Sequence, residues 1–356
     1  MTGTGIGRPV PPGVRLGRVS FVWRPWPVLV TLLLAAATFL VFCLSIGAGD
    51  FPISLPRVVA TILGGGERVD HFVIMDLRLP RALAGLVVGI ALGTSGAITQ
   101  SIARNPLASP DVLGITQGAG AVAVALLTVS GGTTAAIAGT VGLPAAALAG
   151  GLGTGLLVYL LAWRRGIDGF RLVLIGISVS AVMQSVTTWL LVTADITDVA
   201  RAQVWLVGSL DGRTWNEVGV ALGCTLVLLA VVAGAAFQFR PLHFGDEVAA
   251  GLGVRYSAVR AVMLLCAVLL AGVAVSAAGP VPFVALVAPQ AAMRLARCAT
   301  PPLAASGLVG ALLLIGADLV ARTALPRALP VGVVTAAIGG PFLVYLLVRA
   351  NLRRAA

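Results

Sequence analysis

The sequence contains no lysine, and all 24 of its basic residues are arginine. P-loop nucleotidases, kinases and Schiff-base enzymes each depend on a lysine amine. The chain therefore cannot belong to any of these catalytic classes.

Charged residues are scarce as well, since only 37 of 356 residues are Asp, Glu or Arg, about 10% of the chain. Soluble domains carry about 25%. Apolar residues make up 58% of the sequence, so its net charge of +11 has to be interpreted against a membrane rather than against a nucleic acid. The composition predicts a membrane protein.

Apolar runs near the length of about 20 residues that crosses a bilayer recur along the whole chain. Together they predict an all-α polytopic membrane protein with ten transmembrane helices. The runs are 27–48, 82–101, 113–129, 135–162, 172–193, 217–239, 261–278, 283–293, 303–321 and 331–348.

The arginines support this count. With both termini in the cytoplasm, 16 of 24 arginines lie inside and nine of 13 acidic residues lie outside, as the positive-inside rule expects. The topology predicts a basic cytoplasmic segment at 1–26, one transmembrane domain at 27–350 and a cytoplasmic tail at 351–356. We expect the chain to lie in the plasma membrane, which is the inner membrane in cells that have two membranes.

No pattern for catalysis or metal binding is present. The four cysteines form no CxxC pair, the two histidines fall on opposite sides of the predicted membrane, and HExxH and GxSxG are absent. We expect a non-catalytic chain that binds no metal or cofactor of its own.

Glycines in the second run form a stripe of small residues that lets neighbouring helices approach closely. Packing is the simpler interpretation, and lining of a pore is the alternative. The stripe consists of Gly85, Gly89, Gly93 and Gly96.

Polar residues within the runs are few. Apart from Glu217 at the edge of the sixth run, Asp318 is the one acidic or basic residue in a run, which disfavours an ion-coupled carrier, because such carriers need polar sites near the membrane midplane. The fifth run holds six hydroxyl and amide side chains, which either line a pathway or bond between helices. These are Ser178, Ser180, Gln184, Ser185, Thr187 and Thr188.

Three segments outside the runs carry distinctive patterns. Two prolines end the second helix at 104–114, and Ser109 or Asp111 is placed to cap the third. Residues 245–253 predict a short cytoplasmic helix that either lies at the membrane interface or docks into a partner. Arginines predicted outside, at 78, 81 and 322, either anchor lipid head groups or pair with carboxylates of a partner.

These segments resemble the FecCD-type permeases, the membrane subunits of ABC importers for iron–siderophore complexes, haem and vitamin B12. The resemblance runs from about 45 to 350, and the stretches at 108–111 and 208–215 look most like the subtype that serves ferric enterobactin. It rests on LRLPR at 77–81, GTSGAITQ at 93–100, RNPLA at 104–108, WLVGS at 205–209, GDE at 245–247, GPVPFV at 279–284 and LPVG at 329–332.

The resemblance implies a type II ABC importer permease fold and a set of partners: a second permease subunit, either a different chain or another copy, two ATPases that use ATP and Mg²⁺, and an extracytoplasmic binding protein. It also implies roles for individual residues. By this resemblance, the binding protein is expected to dock on Arg78, Arg81 and Arg322. The cytoplasmic gate is expected to consist of Asn105, Leu107, Asp168, Gly169 and Phe170. Coupling to the ATPase falls to Gly245, Asp246, Glu247, Ala249, Ala250, Gly251, Leu252 and Gly253.

Several positions depart from the family pattern. Asp168, Gly169 and Phe170 replace hydroxyl residues of the B12 importer, and Gln290 stands where histidine is usual. Pro282 and Ala285 replace glycines, and Ala328 replaces an acid. We therefore expect altered chemistry at the second gate segment and altered helix geometry near 282–290.

The sequence thus predicts the permease subunit of an ATP-driven importer for ferric siderophores. A secondary carrier without ATPases is the alternative, and a membrane scaffold that transports nothing is a third hypothesis.

Overall fold

The computed structural model describes residues 13–16, 19–22, 25–49, 53–65, 67–129, 142–163, 169–239, 251, 256–324 and 329–355. The predicted sites at Asp168 and at 245–253, apart from Gly251, lie outside the described residues, as does Ala328.

The described chain is a bundle of helices preceded by a two-stranded hairpin. Its strands are β1 (Gly13–Leu16) and β2 (Val19–Val22). Its helices are α1 (Pro25–Gly47), α2 (Leu55–Ile62), α3 (Arg68–His71), a π-helical segment (Phe72–Arg78), α4 (Leu79–Ala103), α5 (Ile115–Val129), α6 (Leu143–Ala162), α7 (Gly169–Thr193), α8 (Ile196–Val207), α9 (Trp215–Phe239), α10 (Tyr256–Ala278), α11 (Val284–Ala296), α12 (Leu303–Thr323) and α13 (Val331–Ala355).

Seven helical stretches in the described ranges are long and apolar enough to cross a membrane. Three shorter apolar helices, Ile115–Thr128, Val284–Ala296 and Val331–Leu346, coincide with the remaining predicted runs. The prediction of a helical, multi-pass membrane protein is confirmed. The count of ten crossings stays a prediction, because these three apolar stretches have fewer than 18 residues, the third of them being the first part of α13.

Some elements were not predicted from the sequence. The hairpin pairs Gly13 with Val22 and Leu16 with Val19 in antiparallel register, so the segment before α1 contains β-structure. Helices α2, α3 and α8 are also additions. At 4 to 12 residues they are too short to cross a bilayer, which is why a search for long apolar runs does not find them.

The pairing of α4 with α12 forms the centre of the bundle. The two helices are antiparallel, and the glycine stripe of α4 faces α12 and the start of α11. A Cβ at Gly85 would lie 3.2 Å from Ile315, and one at Gly89 would lie 2.5 Å from the Cα of Ala311. A Cβ at Gly93 would overlap the carbonyl of Ser306. The two backbones are therefore in contact, which only glycine permits.

Other helices surround this pair. Helices α10 and α11 pack against α4, and α1 packs against α12, so that α4 is almost entirely covered. The main core joins side chains of α4, α9, α10, α12 and α13 with the residues between α10 and α11. By contrast, α7 and α9 leave most of their side chains exposed on the single chain.

Two glycines of α12 provide a matched test of this packing. A Cβ at Gly310 would overlap the backbone carbonyl of Gly89, whereas a Cβ at Gly316 would meet nothing within 4 Å. We expect Gly310→Ala to lower the free energy of unfolding by about 1–3 kcal/mol, because backbone cannot move aside. Gly316→Ala should be neutral or slightly stabilising, since alanine favours helix. Thermal unfolding in detergent measures both, and equal melting temperatures would contradict the close pairing.

Candidate functional site

The three predicted docking arginines meet at the end of the bundle where α4 begins and α12 ends, which we call the arginine end. Arg81 forms a fork on the carboxylate of Asp318, with Nε 3.2 and 3.1 Å from the two oxygens and Nη2 2.9 Å from Oδ1. Arg322, one turn beyond Asp318, approaches the other side of this carboxylate, with Nε 3.2 Å from Oδ2. Only 2% of the Asp318 side chain is exposed, so two guanidinium groups compensate one buried charge.

Arg78 and Arg322 also hold the end of α1. A helix leaves its last four carbonyls without partners, and α1 has no basic residue in its own last turn. Arginines from two other segments supply the missing donors. Arg78 Nη1 donates to the carbonyls of Ile46 (3.0 Å) and Gly47 (3.1 Å), Arg322 Nη1 donates to that of Ala48 (2.9 Å), and Arg322 Nη2 donates to the carbonyl and hydroxyl of Ser45.

A second carboxylate reaches Arg81 from the turn between α8 and α9. Oδ1 of Asp211 lies 2.7 Å from Nη1 of Arg81, and the Asp211 side chain is 79% exposed. The turn itself is fixed, because Leu210 is buried in the main core and the amide of Ser209 donates to the carbonyl of Ala278 at 2.8 Å. Asp211 is therefore presented to Arg81 by a rigid support.

The π-helical segment positions Arg78. The amide of Leu79 bonds to the carbonyl of Ile74, five residues back, so the carbonyl of Met75 loses its usual helical donor. The indole Nε1 of Trp215 donates to that carbonyl at 2.8 Å. The start of α9 thereby ties down the segment that leads into α4.

The structure thus brings Arg78, Arg81 and Arg322 together, as a shared docking role requires, and adds two acids that the sequence analysis did not pair with them. The spacing of Asp318 and Arg322, four residues apart on one helix face, was a usable signal. No spacing of this kind links Asp211 to Arg81, because the two residues are 130 positions apart in the sequence.

The predicted cytoplasmic gate lies at the opposite end of α4, in the turn 104–114. Oδ1 of Asn105 accepts a hydrogen bond from the amide of Leu107 at 2.9 Å, and the carbonyl of Asn105 accepts one from the amide of Ala108 at 3.1 Å. Such an Asx-turn fixes the backbone locally. Ser109 then caps the following turn, accepting from the amide of Val112 at 3.4 Å.

The second predicted gate segment adjoins the first. A Cβ at Gly169 would lie 2.7 Å from the carbonyl oxygen of Ala103, so the start of α7 touches the last turn of α4. The next residue, Phe170, is exposed. A residue with a Cβ at position 169 would not fit against Ala103 in this way.

The polar residues of the fifth predicted run bond mostly within their own helix. The hydroxyls of Ser178, Ser185, Thr187 and Thr188 each donate to a carbonyl four residues earlier in α7. Ser180 does the same and also reaches the carbonyl of Val112 at 3.3 Å. Within the described ranges, Ser180 is therefore the hydroxyl of this set that bonds outside α7, and it bonds to the turn 104–114.

A cavity of about 580 Å³ lies between the turn 104–114 and helices α5, α8, α11 and α13. One wall is polar and the others are largely apolar. The polar wall consists of Ser109, Asp111, Thr116 and Gln117, and the apolar walls include Leu206, Phe283, Leu286, Val333 and Leu343.

Two groups of the polar wall have unusual surroundings. Loss of hydration raises the pKa of the Asp111 carboxyl, against the hydrogen bond donated by Thr116, which lowers it. Oε1 of Gln117 is buried and accepts no hydrogen bond within the described chain. The wall thus presents hydroxyl and carboxyl groups to the cavity, while the amide oxygen of Gln117 is buried behind them.

The residues between α10 and α11 form part of the apolar walls without being helical. Phe283 has a φ of +67°, a left-handed conformation that costs a non-glycine residue about 1–3 kcal/mol. Gly339 of α13 leaves room for the Phe283 side chain, which a Cβ there would overlap. Irregular backbone within a membrane occurs where it lines a cavity or is buried in protein, and Pro282 and Phe283 fit that rule.

Gln290, a departure from the family pattern, pairs with Gln100 in the interior. Its Nε2 donates to Oε1 of Gln100 at 2.7 Å, and Nε2 of Gln100 donates to the carbonyl of Leu286 at 3.1 Å. Both amides are buried, and each finds a partner. The pair connects α4 to α11 near the cavity.

The sequence pattern of the FecCD transport family matches residues 37–349. The chain belongs to this family. The resemblance inferred from the motifs is therefore confirmed, and the residues described above form part of a FecCD-family permease.

Its relatives include the ferric enterobactin transport system permease protein FepG of Escherichia coli K12, which is 40% identical over 328 residues, 92% of this chain and 98% of FepG. The iron(3+)-hydroxamate import system permease protein FhuG of Bacillus subtilis is 35% identical, over 90% of this chain and 98% of FhuG. Among solved structures, an ABC transporter assigned to the metal-chelate type, in an inward-facing conformation, superposes with a TM-score of 0.78 at 25% identity, covering 90% of this chain and 99% of that one.

The buried carboxylate at the arginine end gives a second prediction. We expect Asp318→Ala to lower the free energy of unfolding by about 3–5 kcal/mol, because Arg81 and Arg322 would lose the carboxylate that compensates their charge. The exposed Asp195→Asn, at the start of α8, should change it by less than about 0.5 kcal/mol. Thermal unfolding in detergent compares the two variants, and similar losses would contradict the central role of Asp318.

Proposed function

We propose that this chain is the membrane permease subunit of an ATP-driven importer that carries ferric siderophores across the plasma membrane. The observation that carries the proposal is membership of the FecCD family over residues 37–349, together with relatives whose names refer to ferric enterobactin and to iron(3+)-hydroxamate. The chain forms the transmembrane walls, gates and docking surfaces, and separate subunits hydrolyse ATP with Mg²⁺.

The proposed assembly contains two permease subunits, two ATPases and one extracytoplasmic binding protein. The charge distribution supports the orientation, because most arginines then face the cytoplasm, and so do both termini. The arginine end faces outward, and the turn 104–114 faces the cytoplasm. Helices α7 and α9 expose apolar side chains that can contact lipid and the second permease. We expect the second permease to be a different chain.

The binding protein docks at the arginine end through its carboxylates. Arg81 is the best-placed contact, since Arg78 and Arg322 also hold the end of α1. At the cytoplasmic end, residues 245–253 contact the ATPase in the manner the family resemblance implies. Substrate passes through the cavity beside the turn 104–114, with Asn105 and Leu107 at its gate.

Uptake into proteoliposomes tests the function. With the complete importer reconstituted, we expect ferric enterobactin or a ferric hydroxamate to accumulate only when the ATPases are supplied with Mg-ATP, because the chain offers few ionisable groups for ion coupling. Liposomes with a proton or sodium gradient but no ATP are the control. Uptake driven by a gradient alone would identify a secondary carrier, and no uptake under any condition would favour the scaffold hypothesis.

A matched pair of arginine variants tests docking. Arg81 and Arg213 both have side chains that are 19% exposed and both form an ion pair with an acid. We expect Arg81→Gln to weaken binding of the binding protein at least about tenfold, because a charge contact at the interface is lost. Arg213→Gln should change binding by less than twofold.

Binding to the importer in nanodiscs measures the effect, and co-purification of the ATPases together with the melting temperature shows that each variant is assembled. Equal binding by correctly assembled Arg81→Gln and Arg213→Gln would remove Arg81 from the docking surface.

A further inference from the structure

Arg81 holds two carboxylates of very different exposure. Asp318 is 2% exposed, receives three hydrogen bonds from the Arg81 fork and is also approached by Arg322. Asp211 is 79% exposed and contacts Arg81 through one nitrogen only, Nη1. The pairing with Asp318 fixes the Arg81 side chain in the protein, and the pairing with Asp211 occupies the exposed side of its guanidinium at Nη1.

The two pairings also differ in how readily they exchange. Releasing Asp318 would leave a buried charge without compensation, which is strongly unfavourable. Releasing Asp211 returns an exposed carboxylate to water, and pairs of that kind change an equilibrium by no more than about fivefold. An approaching acid can therefore replace Asp211 but not Asp318.

We propose that Asp211 is an internal stand-in for a carboxylate of the binding protein: it occupies Arg81 in the undocked permease and is displaced when an acidic side chain of the binding protein arrives. This inference rests on the proposed docking function of the arginine end. Arg81 keeps its orientation when Asp211 is displaced, because the carboxylate of Asp318 holds the guanidinium in place throughout. Docking then exchanges one ion pair for another, which limits its affinity and favours release after each delivery.

The turn that carries Asp211 suits this exchange. Leu210 and Ser209 hold its backbone to the core and to α10, so displacement requires only rotation of the Asp211 side chain. The hydroxyl of Ser209 accepts from the backbone amide of Asp211 at 3.0 Å, a contact that substitution of the carboxylate leaves in place. Replacing Asp211 by asparagine is therefore a conservative change for the fold.

The test measures binding of the siderophore-loaded binding protein, the one that supports uptake in the proteoliposome assay, to the complete importer in nanodiscs. We expect Asp211→Asn to bind about two- to fivefold more tightly than the unaltered chain, and Asp211→Glu to bind like it, because the competing carboxylate is retained. The gain should shrink at high salt, where exposed ion pairs are screened. Asp195→Asn removes an exposed acid predicted on the same side and should give no comparable gain.

A double variant separates this inference from the docking proposal. In the Arg81→Gln background, Asp211→Asn should bring no gain, because the two substitutions act on the same contact. An unchanged or weaker affinity of Asp211→Asn, or an equal gain with Asp195→Asn, would overturn the stand-in role even where Arg81→Gln weakens docking. If Arg81→Gln itself leaves docking intact, the docking proposal fails first.

Discussion

The pairing of Arg81 with Asp318 closes the central helix pair of this permease, and much of the structure depends on it. Below the ion pair, glycines let the backbones of α4 and α12 touch, so neither helix can shift without separating the charges above. Lipid offers no hydrophobic driving force between helices, which leaves close packing and polar ties to fix their positions. One buried carboxylate shared by two arginines provides such a tie where the glycine stripe ends.

The same arginines connect the helix pair to its surroundings. Arg322 contacts Asp318 and also donates to carbonyls at the end of α1, and Arg78 caps the same turn from the π-helical segment. The arginine end is therefore a structural clamp in which Arg81 is also bonded to an exposed acid, Asp211. A partner that docks here meets a preorganised guanidinium rather than flexible side chains, which reduces the entropy lost on binding.

The sequence was sufficient to predict what depends on local pattern. The apolar runs, the close-packing stripe of Gly89 and Gly93 and the Asn105 turn follow from composition and spacing, because each is determined by neighbouring residues. Contacts between distant segments could not be predicted in this way. Nothing in the sequence indicates that Asp211 reaches Arg81, or that the indole of Trp215 donates to the carbonyl of Met75 in the π-helical segment. The hydroxyls of the fifth run remained ambiguous for a physical reason, since a serine in an apolar helix can bond either to its own backbone or to a neighbour.

Both sides of the cavity combine hydrogen bonds with one strained residue, and this bears on how its shape can change. The turn 104–114 is crossed by hydrogen bonds that the side chains of Asn105 and Ser109 accept and that Thr116 donates, so moving its backbone breaks several of them. On the opposite side, Phe283 occupies a left-handed conformation, and a rotation out of it relieves strain. At the turn, Arg104 also occupies a left-handed conformation, with a φ of +48°, and at the junction the carbonyl of Phe283 accepts from the amides of Leu286 and Val287. A change in the shape of the cavity therefore breaks hydrogen bonds and relieves strain on either side. Helix α11 is also bonded to α4 through Gln290 and Gln100, so a movement of the junction that keeps this bond leaves α11 in register with the central pair.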